Sequence, residues 1–264
     1  MSADTPLKAF KEPEITLSES DGLRYLHFGT EWVQGAMRLG RPNDLPIEYN
    51  RQMMAWLLFM RASQSILQIG LGAASLTKFC LARLPGATLT VVEPSRNVVA
   101  AARQWFHLPP ESRRFTLCVE EGEAFVRKQS SARFDIVQVD VYDALAQGPV
   151  LDSLEFYRGC RLLLAVPGIL VVNLFGTHES FAGNVERLRQ AFDGRVLELP
   201  QCQTGNSVLL GFNGPSFIAK WNMLESRAQL LERKLGLEAE GWVKHWRETS
   251  TTGSAGLRIA PPAD

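Results

Sequence analysis

The stretch SILQIGLGAASLTKFCLARLPGATLTVVEP, residues 65 to 94, decides the fold of this chain. Residues 65 to 69 form a short apolar run that ends at Gly70-Leu71-Gly72, a segment of helical length follows, and residues 87 to 94 form a second apolar run. A strand, a glycine turn, a helix and a second strand in this order are typical of two parallel strands joined by a crossover helix. We therefore predict a parallel β-sheet that begins at this stretch.

Further strands of the sheet follow along the chain. Apolar segments at residues 115–122, 134–142 and 168–176 alternate with helical segments, and segments 195–201 and 206–214 follow each other with no helix between them. Strands that alternate with helices predict a parallel sheet covered on both faces. The missing helix predicts that one of the last two strands is antiparallel, so the predicted fold class is α/β.

Changes in composition divide the chain into four parts. Asp21-Gly22 between two alternating segments is typical of a hairpin, and residues 48–60 and 215–237 are each predicted to form one helix. The end of the chain is low in complexity, which favours disorder. We predict a flexible lead-in at residues 1–14, a small antiparallel N-terminal β unit with a connecting helix at residues 15–60, a Rossmann-like catalytic domain at residues 61–246 and a disordered tail at residues 247–264.

Composition and charge exclude several classes of protein. The 264 residues include 28 Lys and Arg and 28 Asp and Glu, so nothing global indicates a nucleic-acid partner or an acidic membrane surface. No apolar run reaches the roughly 18 residues of a membrane span, and the N-terminus lacks the apolar core of a secretory signal. The widely spaced cysteines favour a reduced, cytoplasmic protein with no bound metal; they are Cys80, Cys118, Cys160 and Cys202.

The glycine turn and the acid after the second strand indicate a nucleoside site. Gly70 and Gly72 allow the main chain to approach a ligand, and Glu93, about 20 residues further on, can accept both ribose hydroxyls. The dinucleotide pattern fails because Ser75 occupies its third glycine position. The fit is better to a sheet of the S-adenosylmethionine-methyltransferase type, which holds no pyrophosphate. The alternative is that the glycines only make a tight turn and that Glu93 is a solvated charge.

Two further groups of acids end strands. Glu121, after the third strand, either lies near an adenine or is an exposed loop acid, and both interpretations stay open. Asp140 and Asp143 end the fourth strand, and no Lys or Arg occurs from residue 134 to residue 157. This segment therefore predicts a rim that attracts cations. The acids Asp152 and Glu155 are better explained as charges that complement a helix N-terminus.

These residues resemble a family, the polyamine aminopropyltransferases or spermidine synthases. The resemblance spans roughly residues 14 to 214 and rests on WVQGAM, QIGLG, VVEP, VEEGEAF and, most specifically, VDVYDALAQGP followed by LEFY. It implies decarboxylated S-adenosylmethionine as a co-substrate, a small cationic polyamine as acceptor, and a homodimer; a methyltransferase would instead use S-adenosylmethionine itself as a co-substrate. In the family a glutamine of the N-terminal unit faces the substrate, and Gln34 matches it. Tyr49 or Arg51 falls near an active-site tyrosine.

The expected chemistry gives the aspartates a role. An amine attacks the carbon next to a sulfonium, and an alkylamine with a pKa near 10 arrives as an ammonium ion. A carboxylate must attract it, orient it and help to remove its proton. Asp140 is expected to take this catalytic role, and Asp143 is expected to fix the rest of the amine.

The chain departs from the family pattern at the donor loop. Family members carry an acid within G-G-G-D-G-G, where this chain has Ala73, and that acid is expected to hold the amine of the aminopropyl donor. Ala144 replaces the proline after the second aspartate, and Glu121 replaces an aspartate. Two alternatives therefore remain. The chain could be an S-adenosylmethionine-dependent methyltransferase, which Ala73 favours, or a non-catalytic protein that binds a nucleoside or polyamine.

Overall fold

The N-terminal unit is a three-stranded antiparallel sheet. The computed structural model of the protein describes residues 11–60, 64–128, 134–142, 151–250 and 255–261. Its first sheet contains strands β1 (Thr16–Ser20), β2 (Leu23–His27) and β3 (Val33–Arg38) in that order. Asp21 and Gly22 join β1 to β2 with positive φ angles of 52° and 73°, as the predicted hairpin requires.

The segment after this sheet forms two short helices where one was predicted. Helix α1 spans Glu48–Gln52, and a 3₁₀ helix spans Ala55–Leu58. The carbonyl of Met53, between them, accepts a hydrogen bond of 2.9 Å from the side-chain amide of Gln138. Because Gln138 lies on a strand in the centre of the molecule, this bond ties the connecting segment to the main sheet.

The main sheet has seven strands and confirms the α/β fold class. The strands lie in the order β6-β5-β4-β7-β8-β10-β9, and those from β6 to β8 are parallel. Strand β10 is antiparallel to both of its neighbours, as predicted for one of the closing strands. Their bounds are Ser65–Ile69 for β4, Thr88–Val92 for β5, Phe115–Cys118 for β6, Phe134–Val139 for β7, Leu164–Phe175 for β8, Val196–Glu198 for β9 and Asn206–Asn213 for β10.

Helices cover both faces of this sheet. Successive residues of β4 enter different cores, with Ile66 in one apolar cluster and Leu67 in the other. None of the helices in the described ranges is long and apolar enough to cross a membrane. The helices are α2 (Ser75–Arg83), α3 (Arg96–Trp105), α4 (Gly122–Lys128), α5 (Leu154–Leu163), α6 (Phe181–Ala191), α7 (Trp221–Leu235) and α8 (Ala239–Thr249).

Two parts of the C-terminal region differ from the sequence prediction. The predicted helix at residues 215–237 begins with a strand instead, β11 (Phe217–Lys220), and becomes helical only at Trp221. The predicted disordered tail contains a partner for that strand, β12 (Gly256–Ile259). Leu257 and Ile259 are buried, so apolar burial and strand pairing order a segment whose composition suggested disorder.

The N-terminal lead-in is described only from Lys11 onward, and there it makes specific contacts. A carboxylate oxygen of Glu12 accepts hydrogen bonds from the hydroxyl of Ser95 at 2.5 Å, and the other accepts one from the main-chain N–H of Arg96 at 2.9 Å. Pro13 accepts a bond of 3.2 Å from the side chain of Asn97. Residues 11–13 are therefore attached to the start of α3. The division of the chain into domains otherwise stays a prediction.

Candidate active site

A cavity of about 1220 Å³ lies between the N-terminal sheet and the carboxyl ends of the central strands. It brings together side chains that are far apart in the sequence. The cavity, hereafter the cleft, is lined by all but one of the candidate site residues, namely Gln34, Gly70, Gly72, Glu93, Glu121 and Asp140. The remaining candidate, Asp143, lies outside the described residues.

Gly70 permits a close approach between two strand ends. Its φ angle is +99°, and a Cβ atom at this position would overlap the main-chain carbonyl of Asp140. The N–H of Asp140 in turn donates to the carbonyl of Ile69 at 3.0 Å. Only a residue without a side chain allows this contact, so Gly70 sets the position of Asp140 as well as the shape of the turn.

Gly72 brings the turn against the N-terminal sheet. Its φ angle is +50°, and a Cβ there would lie 3.2 Å from the carbonyl oxygen of Gln34. The hydroxyl of Ser75 donates to the carbonyl of Ala36 at 2.8 Å, which fixes the sheet over the start of α2. The turn therefore places Gln34 beside the expected nucleoside site.

Glu93 is held by main-chain donors on two sides. One carboxylate oxygen accepts from the N–H of Leu71 at 3.1 Å, and the other accepts from the N–H of Ser95 at 2.9 Å. Burial, reinforced by the nearby charge of Glu12, raises the pKa of Glu93 to about 7. Each oxygen keeps a lone pair, so this carboxylate can accept hydrogen bonds from a pair of ribose hydroxyls.

Asp140 is held by neutral side chains. The amide of Asn173 donates to its Oδ1 at 2.9 Å, and the hydroxyl of Tyr49 forms a second hydrogen bond with the carboxylate. Burial raises the pKa of Asp140 to about 6, and these two hydrogen bonds partly oppose the shift. Of the described residues that line the cleft, Lys11 carries the only basic side chain. Both hydrogen-bond donors to Asp140 are neutral, so neither of them neutralises its negative charge.

A row of polar side chains that lines the cleft beside Asp140 was missed by the sequence analysis. Asn206 donates to the Oδ1 of Asn173 at 3.2 Å and accepts from the hydroxyl of Thr204 at 2.9 Å. The hydroxyl of Tyr142 lies 3.5 Å from the Nδ2 of Asn206. A signal for Asn173 was present, since it interrupts the apolar run ILVVNLF near the end of a strand.

Contacts also decide between Tyr49 and Arg51, one of which was expected near the active site. Tyr49 lines the cleft, whereas Arg51 forms an ion pair with Glu238 at 2.8 Å, so Tyr49 is the residue near the site. Asp152, which was interpreted as a charge that complements a helix N-terminus, pairs with Arg187 at 2.8 Å. Glu120 pairs with Lys128.

The donor loop is tightly packed where the family carries an acid. Ala73 is 3% exposed, and a Cβ at Gly35 of strand β3 would lie only 2.7 Å from its Cβ. The small side chain therefore fits a close contact between the loop and the N-terminal sheet. A longer side chain at this position must displace β3 or turn into the cleft.

Comparison with known proteins identifies the family. No protein-family model matches the chain. It is, however, 34% identical over 247 residues to the polyamine aminopropyltransferase of Chromobacterium violaceum, covering 94% of this chain and 94% of the relative. The chain belongs to the polyamine aminopropyltransferase family. The resemblance to this family, which rested most specifically on the segment around Asp140, is therefore confirmed over 94% of the chain.

Solved structures show that the aminopropyltransferase chain shares its fold with more than one class of enzyme. A probable spermidine synthase from Corynebacterium glutamicum matches with a TM-score of 0.70 and 22% identity, covering 98% of both chains. Human methyltransferase-like protein 13, solved in complex with SAH, matches with a TM-score of 0.65 and 21% identity, covering 72% of this chain and 93% of that one. At these identities the matches show the fold alone.

Proposed function

We propose that this protein transfers an aminopropyl group from decarboxylated S-adenosylmethionine to a small polyamine in the cleft. One observation carries the proposal. Asp140, an acid without a basic partner among its hydrogen-bond donors, opens into the same cavity as the glycine turn and Glu93. Membership of the polyamine aminopropyltransferase family supports it.

The donor half of the cleft suits the adenosine part of the co-substrate. Gly70 and Gly72 expose main chain, and Glu93 offers acceptors to the ribose hydroxyls. Glu121 lines the cleft at the start of α4 and is proposed to accept a hydrogen bond from the adenine amine. The bound donor supplies a sulfonium, which makes the adjacent carbon of the aminopropyl group electrophilic.

The acceptor half suits an ammonium ion that must become a nucleophile. Asp140 attracts the cation and orients its nitrogen, and the phenol of Tyr49 keeps the carboxylate in place. Asp140 first accepts a proton from the ammonium ion, which frees the lone pair of the amine, and later releases that proton to solvent. The lone pair then forms a C–N bond as the C–S bond breaks, and the electron pair of the C–S bond leaves with sulfur as a neutral thioether. The raised pKa of Asp140 makes it a better proton acceptor than an ordinary aspartate.

Gln34 and Asp143 complete the proposed site. Gln34 lies in β3, above the turn, and is proposed to face the aminopropyl group. Asp143 follows Asp140 in the sequence by three positions and is proposed to bind the distal amine of the acceptor. No metal ion takes part in this proposal.

Product analysis tests the reaction directly. The purified protein is incubated with a short diamine and either decarboxylated S-adenosylmethionine or S-adenosylmethionine, and products are identified by mass. We expect a polyamine longer by one aminopropyl group and methylthioadenosine, from the decarboxylated donor alone. A methylated amine from S-adenosylmethionine would contradict the proposal.

One observation favours a methyltransferase as the second candidate. Ala73 supplies no carboxylate for the amine of an aminopropyl donor, and its packing against Gly35 leaves the loop closed on that side. Calorimetric ranking of decarboxylated S-adenosylmethionine, S-adenosylmethionine and methylthioadenosine separates the candidates. Tight methylthioadenosine binding without turnover of any polyamine would instead favour the non-catalytic alternative.

The proposal includes a cytoplasmic homodimer. All four cysteines are free thiols, which agrees with a reducing compartment. The dimer rests on the family resemblance, and sedimentation at several protein concentrations measures it. A mass of one chain at all concentrations would contradict the homodimer.

A further inference from the structure

A row of side-chain amides leads from the end of strand β10 to Asp140. Asn173 donates to Asp140 at 2.9 Å, Asn206 donates to Asn173 at 3.2 Å, and Thr204 donates to Asn206 at 2.9 Å. Asn173 is 1% exposed and Asn206 is 9% exposed. The amides of the row are therefore buried, and their side chains line the wall of the cleft together with Asp140.

Sheet topology explains how these residues meet. Val139 pairs with Val172, so the next residues of the two parallel strands, Asp140 and Asn173, lie side by side. Strand β10 runs in the opposite direction, so its first residue, Asn206, lies at the end of the sheet where β7 and β8 finish. Val208 faces Asn173, which makes Asn206 the diagonal neighbour of Asn173 on the same face.

The row has a fixed polarity. Each amide uses its oxygen to accept from the residue behind and its N–H to donate toward the cleft. An amide that donates to Asp140 prefers the ionised carboxylate, because a carboxylate is a pure acceptor. Both amides are neutral, so they favour ionisation and leave the negative charge available to a cation.

We propose that Asn206 is a positioning residue for the transfer reaction, which acts through Asn173 to keep Asp140 oriented and ionised. This inference rests on the proposed function, since it assumes that Asp140 is the group that meets the amine. Asn206 also lines the cleft, and its proposed effect on Asp140 passes through one intervening side chain, that of Asn173.

Other side-chain amides of the protein show what a purely structural amide does, namely the buried Gln68 and Gln138 and the half-buried Asn213. Gln68 donates to Gln138 at 2.9 Å, and Gln138 donates to the main chain of Met53, so that pair ends at the backbone. Asn213, at the other end of β10, donates to the carbonyls of Leu164 and Ala165. The row through Asn206 differs because it ends at a titratable group in the cleft.

Two substitutions at Asn206 test the proposal, and one at Asn213 serves as the control. Asn206→Leu removes the donor to Asn173. Asn206→Asp keeps the size but replaces the donor with an acceptor, so the amide of Asn173 must turn away from Asp140. Asn213→Leu removes an amide from the same strand far from the cleft.

The readout is the pH dependence of turnover at saturating donor. Besides Asp140, the titratable groups in this part of the cleft are Tyr49 on α1 and Tyr142, two residues after Asp140. Cys202 lies near Tyr49. The pKa values of all three are raised above their ordinary values, mainly by burial, so these groups stay neutral over the range of the experiment. Saturating donor removes the contribution of Glu93 to donor binding.

We expect both Asn206 variants to move the acid limb of the profile to higher pH. The shift should be about half a unit to one unit for Asn206→Leu, the usual effect of one hydrogen bond, and larger for Asn206→Asp. Turnover on the acid limb, at pH values below the pKa of Asp140, should fall roughly 3- to 10-fold while the donor KM changes less than about twofold. Asn213→Leu should keep the wild-type profile.

An unchanged acid limb in both Asn206 variants would overturn the proposal, even if their activity fell in step with a lower melting temperature. A shift of equal size in Asn213→Leu would also overturn it. A wild-type protein that transfers no aminopropyl group would refute the proposed function instead. The ¹³C resonance of the Asp140 carboxyl group, assigned by its loss in Asp140→Asn, then reports the titration without turnover. The same midpoint in wild type and Asn206→Asp would overturn the positioning role.

Discussion

The two halves of the cleft hold their carboxylates in different ways. Glu93 is fixed by main-chain N–H groups, one of them only two residues away. Asp140 is fixed by side chains, with Asn173 33 residues further along the chain and Tyr49 on the segment after the N-terminal sheet. Main-chain donors survive most substitutions, whereas side-chain donors do not. The donor half should therefore tolerate mutation of its surroundings better than the acceptor half.

The largest effect is expected on the acceptor side. Asp140→Asn should lower turnover by about 10²- to 10⁴-fold, because it removes the proton acceptor and the charge that attracts the amine. Methylthioadenosine affinity, measured by calorimetry, should change little, since that ligand lacks the amine. Asp135→Asn, an acid at the opposite end of the same strand, is the control. Equal losses in both variants would show that the sheet, not the carboxylate, was damaged.

The donor side should show the reverse pattern. Glu93→Ala should weaken methylthioadenosine binding by about 1–3 kcal/mol, the usual cost of removing a charged hydrogen-bond partner. The KM of the diamine should stay near the wild-type value at saturating donor. Unchanged nucleoside affinity would place the ligand away from Glu93.

The pH dependence of nucleoside binding sharpens the comparison. In the proposed site, ribose hydroxyls donate to the ionised form of Glu93, and burial raises the pKa of this carboxyl group to about 7. Binding must therefore weaken as the pH falls through this value, by up to about tenfold between about pH 8 and pH 6. Glu93→Gln should bind more weakly and without this dependence. A wild-type affinity that is flat with pH would contradict the ionised, ribose-binding carboxylate.

Ala73→Asp tests whether the donor half lacks a charge. The new carboxylate should tighten decarboxylated S-adenosylmethionine by roughly 3- to 10-fold through one ion pair in a partly enclosed site. The gain is limited because the Ala73 side chain packs against Gly35. Methylthioadenosine, without the amine, should be unaffected. If both ligands weaken together, the substitution has displaced strand β3 rather than added a charge.

The smallest effect is expected at the contact between the N-terminal segment and α3. Glu12→Ala removes the carboxylate that accepts hydrogen bonds from Ser95 and Arg96. Ser95 is also one of the residues whose main-chain N–H donates to Glu93. We expect nucleoside affinity to fall about two- to threefold, at the low end for a hydrogen bond in an exposed setting. Glu19→Ala, which removes an acid paired with Arg24 on the hairpin, is the control. An effect on the diamine KM alone would contradict an assignment to the donor side.

The sequence predicts the donor half better than the acceptor half, and the reason is distance along the chain. Gly70, Gly72 and Glu93 belong to one strand–helix–strand unit, so their spacing carries the geometry. Asp140 was predicted from the acid at a strand end. Its partners Asn173 and Asn206 come from strands whose order in the sheet no local pattern reveals. The antiparallel β10 brings Asn206 to the cleft, and only the topology shows it.

Local patterns also failed where tertiary contacts override them. Strand β11 was predicted as part of a helix because its sequence runs without a break into the amphipathic sequence of α7. Its partner β12 lies about 40 residues later in a segment of low complexity. Likewise, nothing near Glu12 indicates that it contacts Ser95, since the two are 83 residues apart.

The contact between Gly70 and Asp140 limits how the protein can be redesigned. The turn that would receive the donor and the acid that would receive the acceptor share a main-chain contact with no space for a methyl group. The two binding regions are therefore not separable modules. Varying the glycine loop to accept a new donor would also move Asp140 and so change the reactivity of the amine. A loop grafted from another enzyme would place Asp140 at a different distance from the donor. Engineering of either specificity in this scaffold has to vary both regions together.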